Sequence, residues 1–177
     1  MTGVRRAATL VAGAALLLVG AGPGAEGVAA AASAVSGGAA ARTAAVVSGV
    51  EPATEPFTGL TAGTIRVGGR RFEVVVADSL GERVRGLRGR SDAAPYAGML
   101  FVFSEDTTTA FTMAGVPDPL EIAFFDERGR RVDTLRMEPC SGTDASCPIY
   151  ESSKPYRFTL ETAPGEMPTG RLRVRRG

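Results

Sequence analysis

The chain has 177 residues, no histidine, two cysteines and a net charge of +1 from 20 basic and 19 acidic residues. A chain of this length suits one domain with additional segments, and its near-zero net charge excludes the long-range attraction that drives binding to nucleic acid. The absence of histidine removes the commonest general base and the commonest metal ligand. We therefore expect no metal and no cofactor, and nucleophiles activated by histidine are excluded.

The first 34 residues have the pattern of a signal peptide. A short basic start, MTGVRR, precedes the apolar stretch AATLVAGAALLLVGAG, and small residues suited to signal cleavage follow. An uncleaved membrane anchor is the alternative, because residues 7–25 lack charge over nearly the length of a span. Ala and Gly dominate this stretch, which favours cleavage. We expect a secreted or extracytoplasmic protein that is attached to a membrane only if the leader is retained.

Residues 35–63 are predicted to form a flexible linker. The segment mixes small residues with Pro52 and Pro56 and shows no sustained helical or strand period. Its apolar content is too low to offset the entropy of ordering it. The folded domain is then expected to span residues 64–177, which hold seven of the eight Phe and all three Tyr.

A hairpin and a helix are predicted at the start of the domain. The run TIRVGGRRFEVVVAD places Gly68–Gly69 between two extended stretches, as in a tight hairpin. A capping-box pattern at Ser79 then precedes Leu80, Val84 and Leu87, whose spacing places them on one face of a helix of two to three turns.

The remainder of the domain is predicted to be strands joined by turns. Alternating or fully apolar runs occur at residues 98–103, 108–113, 119–126, 130–137, 156–162 and 171–176. Strands at this spacing without helices between them favour a mainly β (α+β) fold, and we expect a small antiparallel β-barrel-like domain of about seven strands with one short helix.

Five stretches occur in an order that resembles a bacterial and archaeal family, domain of unknown function 192. They are ERVRGLRGR, GMLFVF, FTM, PLEIAFFDERGRRV and MEPC, and the resemblance covers about residues 64–165. It implies a small β-rich, barrel-like domain with a helix near its start, in a family without an established biochemical activity.

The chain departs from this family at three positions. Thr112 stands where relatives usually have Trp, the run AGV after Met113 replaces a usual Lys-Asn-Thr, and Glu121 replaces a usual Asp. If the missing Lys and Asn contact a ligand in relatives, this chain has lost or changed that contact.

The two cysteines are predicted to form a structural disulfide. Cys140 and Cys147 are separated by SGTDAS, a small and polar run that can fold back on itself, and an oxidised pair is the usual state in an exported protein. A zinc site would require further Cys or His ligands, and a redox pair more often has two intervening residues.

If the protein is an enzyme, its candidate acid–base groups are carboxylates. Glu121, Asp126 and Glu138 flank apolar strands, and a carboxylate pair can carry out acid–base chemistry. The alternative is that Asp126 is a turn residue and that Glu121 is solvated or paired with an arginine. No catalytic residue is assigned.

The function predicted from the sequence is a non-catalytic binding or accessory module of the cell envelope. Its ligand-binding residues are predicted to be Arg90, which matches the family pattern, together with Met113 and Glu121 at one cleft. The alternative is a carboxylate-dependent hydrolase acting on an envelope polymer. We expect a monomer whose partner is an unidentified envelope or extracellular ligand.

Overall fold

A computed structural model describes residue 38 and residues 40–175. The predicted signal peptide, residues 1–34, lies outside the described residues. The helices are α1, residues 40–46, and α2, Leu80–Arg85. The strands are β1 (Ser48–Pro52), β2 (Thr61–Val67), β3 (Arg70–Ala77), β4 (Met99–Thr107), β5 (Phe111–Thr112), β6 (Leu120–Phe125), β7 (Arg131–Met137), β8 (Ile149–Tyr150) and β9 (Tyr156–Thr162).

Seven of these strands form one open, mixed sheet in the order β1-β2-β3-β4-β9-β6-β7. The prediction of a mainly β, α+β fold is confirmed. The sheet is not closed into the expected barrel, and β3 and β4 pair in parallel. Parallel neighbours need a long crossover connection, and here α2 and the segment up to Met99 supply it. Strands β5 and β8 form a separate two-stranded sheet.

The predicted hairpin at Gly68–Gly69 is confirmed, and β6 and β7 form a second hairpin of the large sheet. Gly68 and Gly69 have φ values of 57° and 85°, the positive values that a two-residue turn between twisted strands requires. Strands β6 and β7 pair antiparallel, and the turn between them is closed by Gly129, whose amide donates to the Asp126 carbonyl.

Both faces of the large sheet are buried under further segments. Along β4, Met99 and Phe101 point into one apolar cluster, and Leu100 and Val102 point into another. We call the first the cavity face, because α2 covers it, and the second the packed face. The packed face is covered by apolar side chains from the end of α1 and from the C-terminal segment, namely Val46, Val47 and Leu172.

The structure differs from the predicted flexible linker in residues 40–62. Strand β1 pairs antiparallel with β2, and the side chains of Val47, Phe57 and Leu60 are buried. These apolar residues are few and irregularly spaced along the chain. Because they are buried against a sheet formed by distant residues, a local count of apolar content underestimates their order.

Residues 171–175 are not a strand of the large sheet, although the alternation predicted for the run 171–176 is correct over these residues. Leu172 is buried on the packed face and forms an isolated bridge with Val67. Its amide donates to the Gly129 carbonyl at 2.9 Å, and the Arg173 amide donates to the Arg66 carbonyl at 2.8 Å. This segment therefore ties β2 to the β6–β7 turn.

Candidate functional site

A cavity of about 380 Å³ lies between α2 and the cavity face of the sheet. We call it the α2 cavity. Its lining comes from α2 and the following turn, from β4, from the β5 region, from the disulfide loop and from β9, and includes Leu80, Arg83, Val84, Leu87, Phe101, Phe103, Phe111, Met113, Asp144 and Glu161. Its volume falls in the range of small-molecule sites.

The wall of the cavity is formed by aromatic and sulfur-containing side chains. Phe101 and Met113 are each 1% exposed, and the rings of Phe101 and Phe111 meet edge to face with centroids 5.2 Å apart. Such pairs hold rings in fixed orientations. The cavity therefore has a defined apolar wall.

Helix α2 begins at the predicted capping box. Ser79 Oγ accepts a hydrogen bond from the Glu82 amide at 3.3 Å, and Glu82 Oε2 accepts one from the Ser79 amide at 2.8 Å. The helix has six residues and ends at Gly86, which has a φ of 46°. It is therefore shorter than the predicted two to three turns.

The predicted apolar face of α2 does not pack on the core. Leu80 is 72% exposed and Val84 is 63% exposed, whereas Leu87 is buried beyond the end of the helix. An arginine attaches the helix to the sheet instead. Arg83 Nη1 donates to the carbonyls of Asp78 and Val102 at 2.5 and 2.9 Å.

The same arginine also stacks on the cavity wall. The Arg83 guanidinium lies 4.9 Å from the centroid of the Phe103 ring, within cation–π range. Burial lowers the pKa of Arg83 below its ordinary value, while the charges of Asp78 and Glu82 act in the opposite sense. Attachment through one long side chain leaves the apolar side chains of α2 at the mouth of the cavity.

The disulfide loop forms the opposite rim. Cys140 and Cys147 are bonded, with their Cα atoms 5.8 Å apart, which confirms the predicted pair. Within this loop Asp144 accepts a hydrogen bond from Arg88 Nη2 at 2.5 Å, and Arg88 Nη1 donates to the Ala114 carbonyl at 2.8 Å. Arg88 thus links the turn after α2 to the loop.

Glu161, on β9 between β4 and β6, is a buried acidic residue in the lining of the cavity. In the sheet register it lies beside Met99 of β4 and Ile122 of β6, both buried on the cavity face. The residue is 6% exposed. Its carboxyl forms no hydrogen bond or ion pair with any described residue, and burial raises its pKa to about 8.

The structure does not bring the predicted ligand-binding residues Arg90, Met113 and Glu121 together. Met113 lines the α2 cavity. Arg90 donates to the Pro56 carbonyl and lies 4.6 Å from the centroid of the Phe57 ring, so it attaches the N-terminal segment to the domain.

Glu121 lies away from the cavity. It is paired in register with Arg136 and Thr162, and it alternates along β6 with Ile122, which faces the cavity cluster. Glu121 therefore projects from the other face of the sheet, and the cleft predicted from these three residues does not exist as one site.

Sequence reasoning missed Glu161 because the run 156–162 has an ordinary strand alternation. A polar residue at an alternate position is usually solvated, but β9 has strands on both sides and segments covering both faces. All seven residues of β9 are buried. The sequence did contain one indication of this burial. The apolar runs that form β4 and β6 are typical of strands in the interior of a sheet, and a strand paired between them would be buried as well.

Two classes of feature are absent from the part of the chain that the structure describes. No three His, Cys, Asp or Glu side chains are grouped closely enough to hold a metal ion. Among residues 40–175, neither helix is long and apolar enough to cross a membrane.

Comparison with known proteins gives a family and a fold. The model of domain of unknown function 192, described as "Uncharacterized ACR", matches residues 63–176. No curated protein matches the chain.

Two solved structures are similar to this one. A candidate transcription regulator from Sinorhizobium meliloti 1021 is 26% identical, with a TM-score of 0.51 over 63% of this chain and 89% of its own. A protein of unknown function from Novosphingobium aromaticivorans DSM 12444 is 20% identical, with a TM-score of 0.54 over 70% of this chain and 93% of its own.

Proposed function

The chain belongs to the family of domain of unknown function 192, and we propose that this member is a non-catalytic binding module whose α2 cavity takes a ligand with an apolar body. The observation that carries the proposal is the pair of exposed apolar side chains, Leu80 and Val84, at the mouth of an aromatic-lined cavity. Apolar residues grouped at a concave surface are typical of ligand sites.

Burial of these side chains supplies the driving force for binding. Each Å² of apolar surface removed from water contributes about 25 cal/mol, and a ligand in the cavity would cover Leu80 and Val84 together with Phe111, which is partly exposed. The fold itself does not need the first two, because Arg83 attaches α2 to the sheet. Their position is better explained by a ligand than by the core.

No observation favours the hydrolase alternative. Asp126 is a turn residue whose carboxylate accepts hydrogen bonds from the Arg128 and Arg130 amides. Glu121 faces away from the cavity. Glu138 is paired with Arg136 at 2.7 Å, so none of the three acids named for acid–base chemistry lines the α2 cavity.

We place this module outside the cytoplasm, in the envelope or the medium. The basic, apolar and small-residue pattern of residues 1–34 supports export, and the bond between Cys140 and Cys147 is of a kind that persists in oxidising compartments. Mass spectrometry of cell fractions tests this. We expect a leader cleaved at a site such as that after Ala30 or after Ala34, and a bonded cysteine pair. Full-length chain with two thiols in the cytosol would contradict this proposal.

Binding is tested with 2-nonanone as the probe. Its affinity is measured from the displacement of the fluorophore 8-anilinonaphthalene-1-sulfonate. The variant Leu80→Ser/Val84→Ser is expected to bind the ketone at least tenfold more weakly, since each lost apolar contact is worth about 1 kcal/mol. Its free energy of unfolding is expected to change by less than about 0.5 kcal/mol, because both side chains are exposed.

The matched control is Val50→Ser. Val50 is 48% exposed and lies on β1, outside the cavity lining. Ketone affinity equal to that of the unsubstituted protein is expected for this control. The same loss in the control and in the α2 variant, or no loss in either, would show that the probe binds elsewhere.

A further inference from the structure

We infer that Glu161 determines which ligands the α2 cavity accepts, by donating a hydrogen bond from its protonated carboxyl to an uncharged acceptor oxygen on an otherwise apolar ligand. Ketone, ester and ether oxygens are acceptors of this class. The inference rests on the proposed function, because it assigns the ligand of the same cavity.

The position of Glu161 on β9 explains why this residue lines the α2 cavity. Residues Arg157, Thr159 and Glu161 alternate along this strand. Arg157, whose side chain is 8% exposed, is paired with Asp106 at 2.9 Å, whereas Glu161 has no partner among the described residues. It lines the cavity, so a molecule in the cavity can reach the carboxyl directly.

The other charged groups around the cavity are already engaged or lie at its rim. Arg83 and Arg88, from α2 and the following turn, donate to the Val102 and Ala114 carbonyls. Asp144, from the disulfide loop, is paired with Arg88. Arg85 is exposed and forms no ion pair with a described residue.

The rim is therefore positive by count, with three arginines and one aspartate among the lining residues. A cationic ligand would have to pass this rim before it could pair with an ionised Glu161. The arrangement disfavours a cation as the group that meets Glu161.

Burial in apolar surroundings favours the neutral acid, and the pKa of about 8 keeps most of it protonated at neutral pH. A neutral carboxyl has one O–H donor, and a buried donor without a partner costs free energy that a ligand acceptor recovers. An alkane of the same size cannot recover it. The cavity therefore selects a ligand with an acceptor oxygen over an alkane of the same size, because the alkane leaves the Glu161 donor unpaired.

The experiment uses four probes with nine carbons: 2-nonanone, nonane, nonylammonium and nonanoate. Their affinities are measured for the unsubstituted protein and for Glu161→Gln and Glu161→Leu. Gln is uncharged and keeps a donor, so ketone affinity is expected to stay within about threefold. Leu removes the donor, and the ketone is expected to bind about tenfold more weakly while nonane binds equally or better.

The pH dependence gives a second measurement. Ketone affinity of the unsubstituted protein is expected to be constant between pH 6 and 7 and to fall above pH 8 as Glu161 ionises, whereas that of Glu161→Gln stays flat. Thermal unfolding of each variant verifies that it is folded.

Two results would overturn the inference. One is equal loss of ketone binding in Glu161→Gln and Glu161→Leu with nonylammonium as the tightest probe, which would assign an ionised carboxylate. The other is equal binding of ketone and nonane to all three proteins; if that binding is still lost in Leu80→Ser/Val84→Ser, the cavity proposal stands without the role of Glu161. Failure of all four probes to bind the unsubstituted protein would reject both.

Discussion

The two faces of the large sheet are covered in different ways. On the packed face, Val46, Val47 and Leu172 are each at most 3% exposed and lie against β-strand residues such as Phe158. On the cavity face, α2 has no buried residue and is held to the sheet by Arg83.

The packed face is closely packed, whereas the cavity face contains open space. A close-packed face contributes stability, because small voids there forfeit dispersion contacts. An open face lined by apolar groups, with an unpaired carboxyl, reduces stability in exchange for a surface that a ligand can complete. Substitutions on the two faces should therefore change the free energy of unfolding by different amounts and, in some cases, in opposite directions.

The largest expected effect is on the packed face. Phe158 is 1% exposed, and Phe158→Ala should lower the free energy of unfolding by about 3–5 kcal/mol, through lost burial and a new cavity. Phe111→Ala, on the wall of the α2 cavity, should cost clearly less because one side of that ring already faces open space. Urea unfolding of both variants measures the difference, and equal losses would contradict the distinction between the faces.

The second largest effect is expected at Glu161, where a substitution should raise the free energy of unfolding by an amount that depends on pH. Burial raises the pKa of Glu161 from its ordinary 4.5 to about 8, so between these values the folded state retains a proton that the unfolded state releases. Stability contributed by this residue therefore falls as pH rises through that range and is lowest above pH 8.

Removal of the buried carboxyl should therefore stabilise the protein most at high pH. Glu161→Leu is expected to gain about 3 kcal/mol over the unsubstituted protein at pH 9, the cost of an unpaired buried charge, and much less at pH 5. Thermal unfolding across pH gives the slope, with Glu161→Gln as the uncharged control. A pH profile that is the same with and without Glu161 would contradict its burial as an acid.

Features set by neighbouring residues could be predicted from the sequence. The Gly68–Gly69 turn, the Ser79 capping box and the Cys140–Cys147 bond each depend on short-range geometry that a few residues specify. The mainly β class follows in the same way from the spacing of apolar runs.

Features set by distant residues could not be predicted. Whether Leu80 packs on the core depends on the hydrogen bond of Arg83 to the sheet, which holds α2 in place. The spacing of apolar residues shows which face of a helix is apolar, but not whether that face is buried. Whether Glu161 is buried depends on the position of β9 in the strand order. The parallel pairing of β3 with β4, and the burial of Phe57 in the expected linker, likewise depend on tertiary partners.

The smallest of the three expected effects concerns the disulfide at the rim of the cavity. Replacement of both Cys140 and Cys147 by Ser should lower the free energy of unfolding by about 2.5 kcal/mol, the loop-closure entropy of so short a ring. Because Asp144 lies within this ring and pairs with Arg88, the variant should also bind 2-nonanone more weakly. The unsubstituted protein measured with and without a reducing agent is the control. Unchanged unfolding after verified reduction would show that the bond does not brace the loop, while unchanged ketone binding would separate the rim from the ligand site.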